Sequence, residues 1–251
     1  MSFHVVSFLD RGYDFVPLDI DRLPIAEVFA GLELFLAQPL SEKMRWHIPQ
    51  KGYYDPDPGY FRKEGKWDPE IEELSDEKEY FHWSPSLVQE LIERSNDPLT
   101  ETDIAPWADW LNQLRVVYDA CMRHLQHVFQ EMDAALPRPV LYERREIDSI
   151  LRIMAYDAGK PGKPHVDKSA VTFHVASTHP GYIMRGTHVD SPPGTVLAFG
   201  SRKLAHVLQR PELGVLHEAA PYHGANGERR RVIVLFGHLH VPELRDPPAK
   251  S

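Results

Sequence analysis

Residues 149–172 read S-I-L-R-I-M-A-Y-D-A-G-K-P-G-K-P-H-V-D-K-S-A-V-T. The stretch leads into His165-Val166-Asp167. Successive side chains on a strand point to opposite faces, so His165 and Asp167 share one face and Val166 turns away. An imidazole beside a carboxylate makes two thirds of a facial metal site. One more imidazole completes the 2-His-1-carboxylate set that holds non-haem Fe(II) and leaves positions open. In a chain with 14 histidines such a tripeptide carries little weight alone. It also occurs twice, because His188-Val189-Asp190 repeats it.

The residues around each pair separate them. After Ile147, short apolar runs rich in β-branched residues alternate with turn signals: Ile150–Ala155, Ala170–Val175, Gly181–Met184, Thr195–Phe199, Val215–Leu216 and Val232–Phe236. Roughly six to eight short strands with no long helix between them predict a sandwich or jelly roll. A third ligand for His165/Asp167 has to come from a later strand that returns to the same mouth, and His217, closing L-G-V-L-H-E, is so placed. Beyond it, R-R-R-V-I-V-L-F sets a guanidinium on a strand, a fork that suits a carboxylate. His188 and Asp190 sit instead in a predicted turn, Gly186–Gly194, with only His238 and His240 to follow and no arginine strand. His206 and His223 remain as weaker candidates for the distal ligand.

The first half of the chain has a different character. Residues 1–24 read as short extended pieces, with Phe15–Ile20 an edge strand broken by Pro17. Apolar residues at helical spacing predict a helix over 24–38 and a short one after Pro39, capped by Ser41. Residues 49–69 have the composition of an ordered loop, and the acidic run 70–79 that of a solvated helix or turn. Trp107–Met132 carries one apolar stripe and is the clearest helix. His124 and His127 lie on it without an accompanying E-x-x-H pair and read as surface residues. No linker or repeat interrupts the chain. One domain over residues 1–251 is expected, helix-rich over 1–146 and a β core over 147–242.

Composition narrows the function. The 251 residues are 42% hydrophobic and 26% charged, as in ordinary globular proteins. A net charge of −9 argues against nucleic-acid or anionic-membrane binding, and Arg229-Arg230-Arg231 is too short a basic run to reverse that. No apolar run approaches the roughly 18–20 residues of a membrane span. The opening MSFHVVSFLDRGYD lacks the basic-then-apolar pattern of a secretory leader. With Cys121 as its lone cysteine the chain fits a reducing compartment, so a cytoplasmic enzyme is expected.

Taken in order, the segments resemble the isopenicillin N synthase-like family of Fe(II)/2-oxoglutarate-dependent oxygenases. F-V-P-L-D-I (15–20) is similar to the family's opening strand, L-A-Q-P-L-S-E-K-M-R-W (36–46) to its F-x-L-P-x-E-x-K helix, and E-K-E-Y-F-H-W (77–83) to its K-E-Y-F segment. S-I-L-R-I-M-A-Y before H-V-D-K-S-A-V-T resembles L-R-L-x-x-Y before H-T-D-x-x-x-L-T. P-G-Y-I (180–183), S-P-P-G-T-V-L-A-F-G (191–200), G-V-L-H-E-A (214–219) and R-R-V-I-V-L-F (230–236) match the turns, the distal-His strand and the Arg strand. The chain departs from the pattern in lacking G-F-F-x-V-x-N-H-G and in a longer loop from His217 to Arg231. The family's R-x-S also reads Arg231-Val232-Ile233 here.

The resemblance implies a double-stranded β-helix, a jelly-roll core backed by a helical N-terminal half. It implies Fe(II) on His165, Asp167 and His217, with 2-oxoglutarate and O2 as co-substrates. Arg231 would pair with the distal carboxylate, and Tyr156 would supply the hydroxyl that Ile233 lacks. A carboxylate at position 167 implies hydroxylation, desaturation or ring closure rather than halogenation. For the substrate, the cations around the motif, Arg152 and Lys168 foremost with Lys160, Lys163 and Arg185, suggest a small carboxylate-bearing molecule such as an amino acid. Three other readings remain open at this point: an Fe(II) oxidase that does not use 2-oxoglutarate, a non-catalytic ligand-binding roll, and a Zn(II) hydrolase.

Overall fold

The structure is a computed structural model that describes residues 3–49, 58–64, 67–68, 73–74, 77–95, 97–145, 149–157, 163–179, 181–220 and 228–241. The chain opens on α1 (Val5–Arg11), which ends on Gly12 with φ 83°. The extended reading of residues 1–24 is corrected there, because Phe8 and Leu9 reach the core from a helix. β1 (Tyr13–Pro17), α2 (Ile25–Leu36) and α3 (Leu40–Met44) follow. Pro39, not Ser41, stands at the N-cap of α3, with no side-chain cap bond.

Next come β2 (Gly59–Glu64), the two-residue strands β3 (Trp67–Asp68) and β4 (Glu73–Leu74), and β5 (Glu77–Trp83). The predicted loop over 49–69 is therefore partly strand, and its residues 50–57 lie outside the described ones. The acidic run likewise ends inside β5, where Glu79 is enclosed by Lys43 at 2.5 Å, the Tyr60 hydroxyl at 2.5 Å and Arg229 at 3.3 Å. These partners come from distant segments, which is why the run looks solvated in sequence.

Helices α4 (Leu87–Arg94), α5 (Glu101–Ile104) and α6 (Ala108–Ala135) complete the first half. The predicted stripe of α6 is the buried face, from Trp110 and Leu111 through Leu125 to Met132. Each such large apolar side chain contributes about 1.5–3 kcal/mol of burial. Gly31 of α2 lets the two helices meet: a Cβ there would fall inside the Trp110 indole, whose Nε1 donates to the Val28 carbonyl at 3.1 Å.

The second half is β6 (Ile150–Asp157), β7 (Val171–Ser177), β8 (Tyr182–Met184), β9 (Thr187–Val189), β10 (Thr195–Gly200), α7 (Arg202–Val207), β11 (His217–Ala219) and β12 (Arg229–Gly237). A seven-stranded antiparallel sheet runs β1-β10-β7-β12-β6-β5-β2, with β1 at its edge as expected from Pro17. A three-stranded sheet runs β11-β8-β9. One face of the large sheet, with Ile153, Ile233 and Leu235, packs on the helices. The other carries Ile150, Met154, Tyr156, Val232, Val234 and Phe236. Tyr182, Met184, Leu197, Phe199 and Val215 join the small sheet to the large one. No helix among the described residues is long and apolar enough to cross a membrane.

Candidate metal centre and co-substrate pocket

His165 and His217 are brought together by backbone before any metal is considered. The two residues form an isolated antiparallel bridge, each N–H donating to the other's carbonyl at 2.9 Å. Their rings lie 4.5 Å apart between centroids. Asp167 stands between them, with Oδ1 3.3 Å from His165 Nε2 and Oδ2 3.6 Å from His217 Nε2. One ligand atom from each of the three falls within 4.8 Å of the others.

The surroundings fix how these groups face. His165 Nδ1 is 2.7 Å from the Lys163 carbonyl and His217 Nδ1 is 3.1 Å from that of Val215. A carbonyl only accepts, so each Nδ1 carries a proton and each Nε2 faces inward toward Asp167, where a cation would displace any proton it shares with the carboxylate. The Thr172 hydroxyl donates to Asp167 Oδ2 at 2.7 Å and also meets Ser169 and Ser201. Burial alone would raise the Asp167 pKa. The charges of His217 and His165 and the bonds from His165 and Thr172 outweigh it and hold the carboxyl well below its usual range. Burial lowers His217, with Asp167 offsetting part of the effect. At His165 the Asp167 bond and charge exceed the desolvation and raise the imidazole. Two neutral imidazoles and one ionised carboxylate on one face are the donor set that suits Fe(II), so these residues fit the metal.

The arginine that β12 turns inward is not the one expected. Arg231 lies on the helix-facing side of β12, its Nε 3.8 Å from Glu33 and its guanidinium over the Phe29 ring at 5.6 Å. Arg230 is the one that turns into the roll, on the same face as Val232 and Val234, and it is 2% exposed. The sequence offers three arginines in a row before an unbroken apolar run, so residue type gives no parity. Only the pairing of β12 with β6 and β7 supplies it.

Arg230 donates to Ser177 Oγ at 3.1 Å, the Ala220 carbonyl at 3.1 Å and the Gly181 carbonyl at 3.0 Å. All three partners are neutral. A guanidinium has five N–H groups, so one remains on each terminal nitrogen. Burial lowers the Arg230 pKa, and Tyr182, Tyr156 and Asp190 offset only part of the effect. With Arg230 in place of Arg231, the residue two further on is Val232 rather than Ile233. The hydroxyl missing there comes from Ser177, which pairs with Val232 across β7 and β12.

Tyr156 faces Arg230 across the pairing of β6 and β12, and its hydroxyl meets Met154 Sδ at 2.9 Å. His174 of β7 is half-buried with its Nε2 enclosed, its ring 4.4 Å from that of Tyr182, and that Nε2 has no hydrogen-bond partner among the described residues. Burial, with help from Arg230 and His217, pushes its pKa down to about 3. A buried cation bonded only to neutral groups among the described residues, beside an imidazole nitrogen without a partner among them, is what a dicarboxylate would complete.

Of the other candidates, Arg152 faces the roll interior on β6, whereas Lys168 is half-buried beside Asp167 and Lys163 contributes its carbonyl. Arg185 is exposed and donates to the Glu212 carbonyl, away from the cluster. His188 is on β9 rather than in a plain turn. It is exposed, 4.0 Å from Asp190, and apart from the metal cluster. His206 is exposed on α7, and His127 on α6 pairs with Glu131. Lys160 and His223 lie outside the described residues. Sequence reading missed Arg230, Thr172, Ser177 and His174. Alternation within β12 and β7 points to Arg230, Thr172 and His174, whereas Ser177 reaches Val232 only through the register shift between Ile233 and Val234.

No family model and no curated protein sequence matches the chain. Solved structures do. A 2OG-Fe(II) oxygenase family protein from Caulobacter crescentus is 16% identical, with TM-score 0.66 over 98% of this chain and 87% of that one. A Neurospora crassa protein in complex with alpha-KG and thymine is 18% identical, with TM-score 0.66 over 98% and 80%. The dioxygenase for auxin oxidation 1 of Arabidopsis thaliana, with 2-oxoglutarate, is 16% identical, with TM-score 0.67 over 98% and 90%. The chain has the fold of the 2OG-Fe(II) oxygenases, a mainly antiparallel β core with flanking helices.

Proposed function

We propose that the chain is a non-haem Fe(II)/2-oxoglutarate-dependent dioxygenase that hydroxylates a small-molecule substrate with release of succinate and CO2, acting as one domain. Fe(II), once bound with 2-oxoglutarate and O2, would supply the oxidising power for attack on an unactivated C–H bond. The protein's share is placement. His165, Asp167 and His217 would hold the cation with one ligand atom each. Arg230 presents two N–H groups to the distal carboxylate, a charge-assisted pair in an enclosed pocket. His174 Nε2 offers a further polar contact, Tyr156 lines the same face, and Met154, Val232 and Val234 keep water out.

The observation that carries this reading is Arg230, a buried guanidinium held only by neutral acceptors in a roll that also presents a His-Asp-His face. A binding roll without chemistry has no use for either. Support for a small substrate comes from the neighbours, since the Neurospora protein is seen with thymine and the Arabidopsis protein is named for auxin oxidation.

The test is anaerobic titration with Fe(II) and then 2-oxoglutarate, followed by the weak visible charge-transfer band. The band is expected in wild type, to vanish in His217→Ala, to need far more co-substrate in Arg230→Met, and to be unaffected by Arg231→Met. Metal uptake with no band would favour the 2-oxoglutarate-independent oxidase, or the hydrolase. No metal uptake would leave only the binding module.

A further inference from the structure

Arg152 sits in β6 on the same interior face as Tyr156, opposite Val234 of β12 and His82 of β5. Its guanidinium carbon is 4.7 Å from the Tyr80 ring centroid and 4.5 Å from that of Phe236. Its Nε donates to His82 Nε2 at 2.7 Å. Tyr80, His82 and Phe236 are all buried, while Arg152 itself is half-buried. Phe61 closes the group, stacked on Tyr80 at 5.3 Å and 5.0 Å from the His82 ring.

That enclosure leaves the guanidinium one direction in which to act. Both rings lie within cation–π reach of it and the imidazole accepts from Nε, so among the described residues the terminal nitrogens Nη1 and Nη2 remain as an edge. A guanidinium edge is a bidentate donor for a carboxylate. Among the described residues no carboxylate pairs with Arg152. The rings also immobilise it, so little side-chain freedom is lost when an anion docks.

The place suits a substrate rather than a co-substrate. Phe236, whose ring touches Arg152, pairs across β12 and β7 with Thr172, the residue bonded to Asp167. One strand separates the backbones of Arg152 and Thr172, and Thr172 is offset by two residues along it, since Val234 pairs with Arg152 and His174 while Phe236 pairs with Thr172. At the spacings of paired strands that is about 12 Å. A small molecule held by Arg152 therefore extends toward the metal face. Arg230 lies further along the same face, beyond Val234 and Val232 on β12. Among the described residues the roll thus holds two separate guanidinium forks without a carboxylate partner.

We propose that Arg152 is the specificity-determining anchor for a carboxylate on the primary substrate, oriented by His82 and clamped by Tyr80 and Phe236. This rests on the oxygenase reading above for the meaning of the second fork, but carboxylate binding at Arg152 needs no chemistry and can be measured apart from it. The probes are acetate, benzoate, phenylacetate and 3-phenylpropionate with their primary amides. They are titrated calorimetrically into Co(II)-loaded protein saturated with 2-oxoglutarate, and again into metal-free protein.

At least one carboxylate is expected to bind, with its amide tenfold or more weaker. Arg152→Gln should weaken the carboxylate tenfold or more and abolish its preference over the amide. Arg152→Lys should restore part of it, and the charge-transfer band should still form at the wild-type 2-oxoglutarate concentration. Failure of the band in wild type would strike the oxygenase reading while leaving the calorimetry of metal-free protein to decide Arg152. The proposal is overturned if no probe binds at millimolar concentration, if amides bind as well as carboxylates, or if Arg152→Gln binds like wild type. If Arg152→Gln fails to fold, the amide comparison and Arg152→Lys decide in the same way.

Discussion

Thr172→Val is the sharpest perturbation of the metal face, because it removes one hydroxyl and keeps the side chain's shape. That hydroxyl donates to Asp167 Oδ2 at 2.7 Å inside a buried cluster with Ser169 and Ser201. A hydrogen bond to a charged group contributes about 1.5–3 kcal/mol. Each 1.4 kcal/mol is tenfold in an equilibrium constant, so Co(II) affinity should fall by about 10–100-fold. Losing a partner that orients a ligating group costs the same range by an independent measure. The assay is titration of metal-free protein with Co(II) against a competing chelator, read by the visible d–d bands. Thermal unfolding runs alongside, since the two serines lose a partner and about 1–3 kcal/mol of stability should go with it. For a chain of this size that is a drop of several degrees, about 2–4 °C per kcal/mol. A folded variant that binds Co(II) within threefold of wild type would refute the claim that the hydroxyl orients the carboxylate.

The other expectations can be checked on purified protein. Glu79→Gln should destabilise by about 3–5 kcal/mol in urea unfolding, because it leaves Lys43 enclosed without its anion while Arg229 keeps Asp157; a loss under 1 kcal/mol would mean water already screens the cluster. His174 and His238 are held neutral, each pushed down to about 3 by burial, so the unfolded chain takes up their protons first as the pH falls. Stability of metal-free protein should decline from about pH 6.5 toward 3 at roughly 1.4 kcal/mol per pH unit for each. His238→Leu should flatten that slope, and an unchanged slope would show His238 is not a contributor. Cys121, fully enclosed on α6 with its thiol pushed up to about 12, should resist thiol reagents until the protein unfolds. Gly31→Ala should cost about 1–3 kcal/mol despite better helix propensity, because the methyl meets Trp110; a stabilised variant would show that α2 can slide on α6.

The parts of the fold that could be read in advance were those set by one segment's own pattern. The stripe of α6, the helix α2 and the strands β6, β7 and β10 each announce themselves by period. The His165, Asp167 and His217 cluster was also legible from the H-x-D spacing, although the pair sits at an isolated bridge rather than on a strand and His217 opens β11 rather than closing a strand. What could not be read depends on pairing. Whether Arg230 or Arg231 faces inward follows from the register of β12 against β6 and β7. Glu79 looked solvated until Lys43, Tyr60 and Arg229 surrounded it. The same holds for Phe3–Phe8, whose apolar run fits a strand or a short helix equally well and was decided by packing.

The reciprocal backbone bonds between His165 and His217 have a consequence for how a cation would be chosen. Two imidazoles contributed by segments far apart in the chain are already pinned at a fixed gauge by peptide groups. Binding then has no loop to close, and the free energy otherwise spent on ordering the chain stays available as affinity. A scaffold of this kind works like a machinist's jig: it accepts ions that match its span and yields little to those that would need it to open. Stripping and reloading the ion should therefore be a fast and reversible operation, with the roll itself unchanged between the two states.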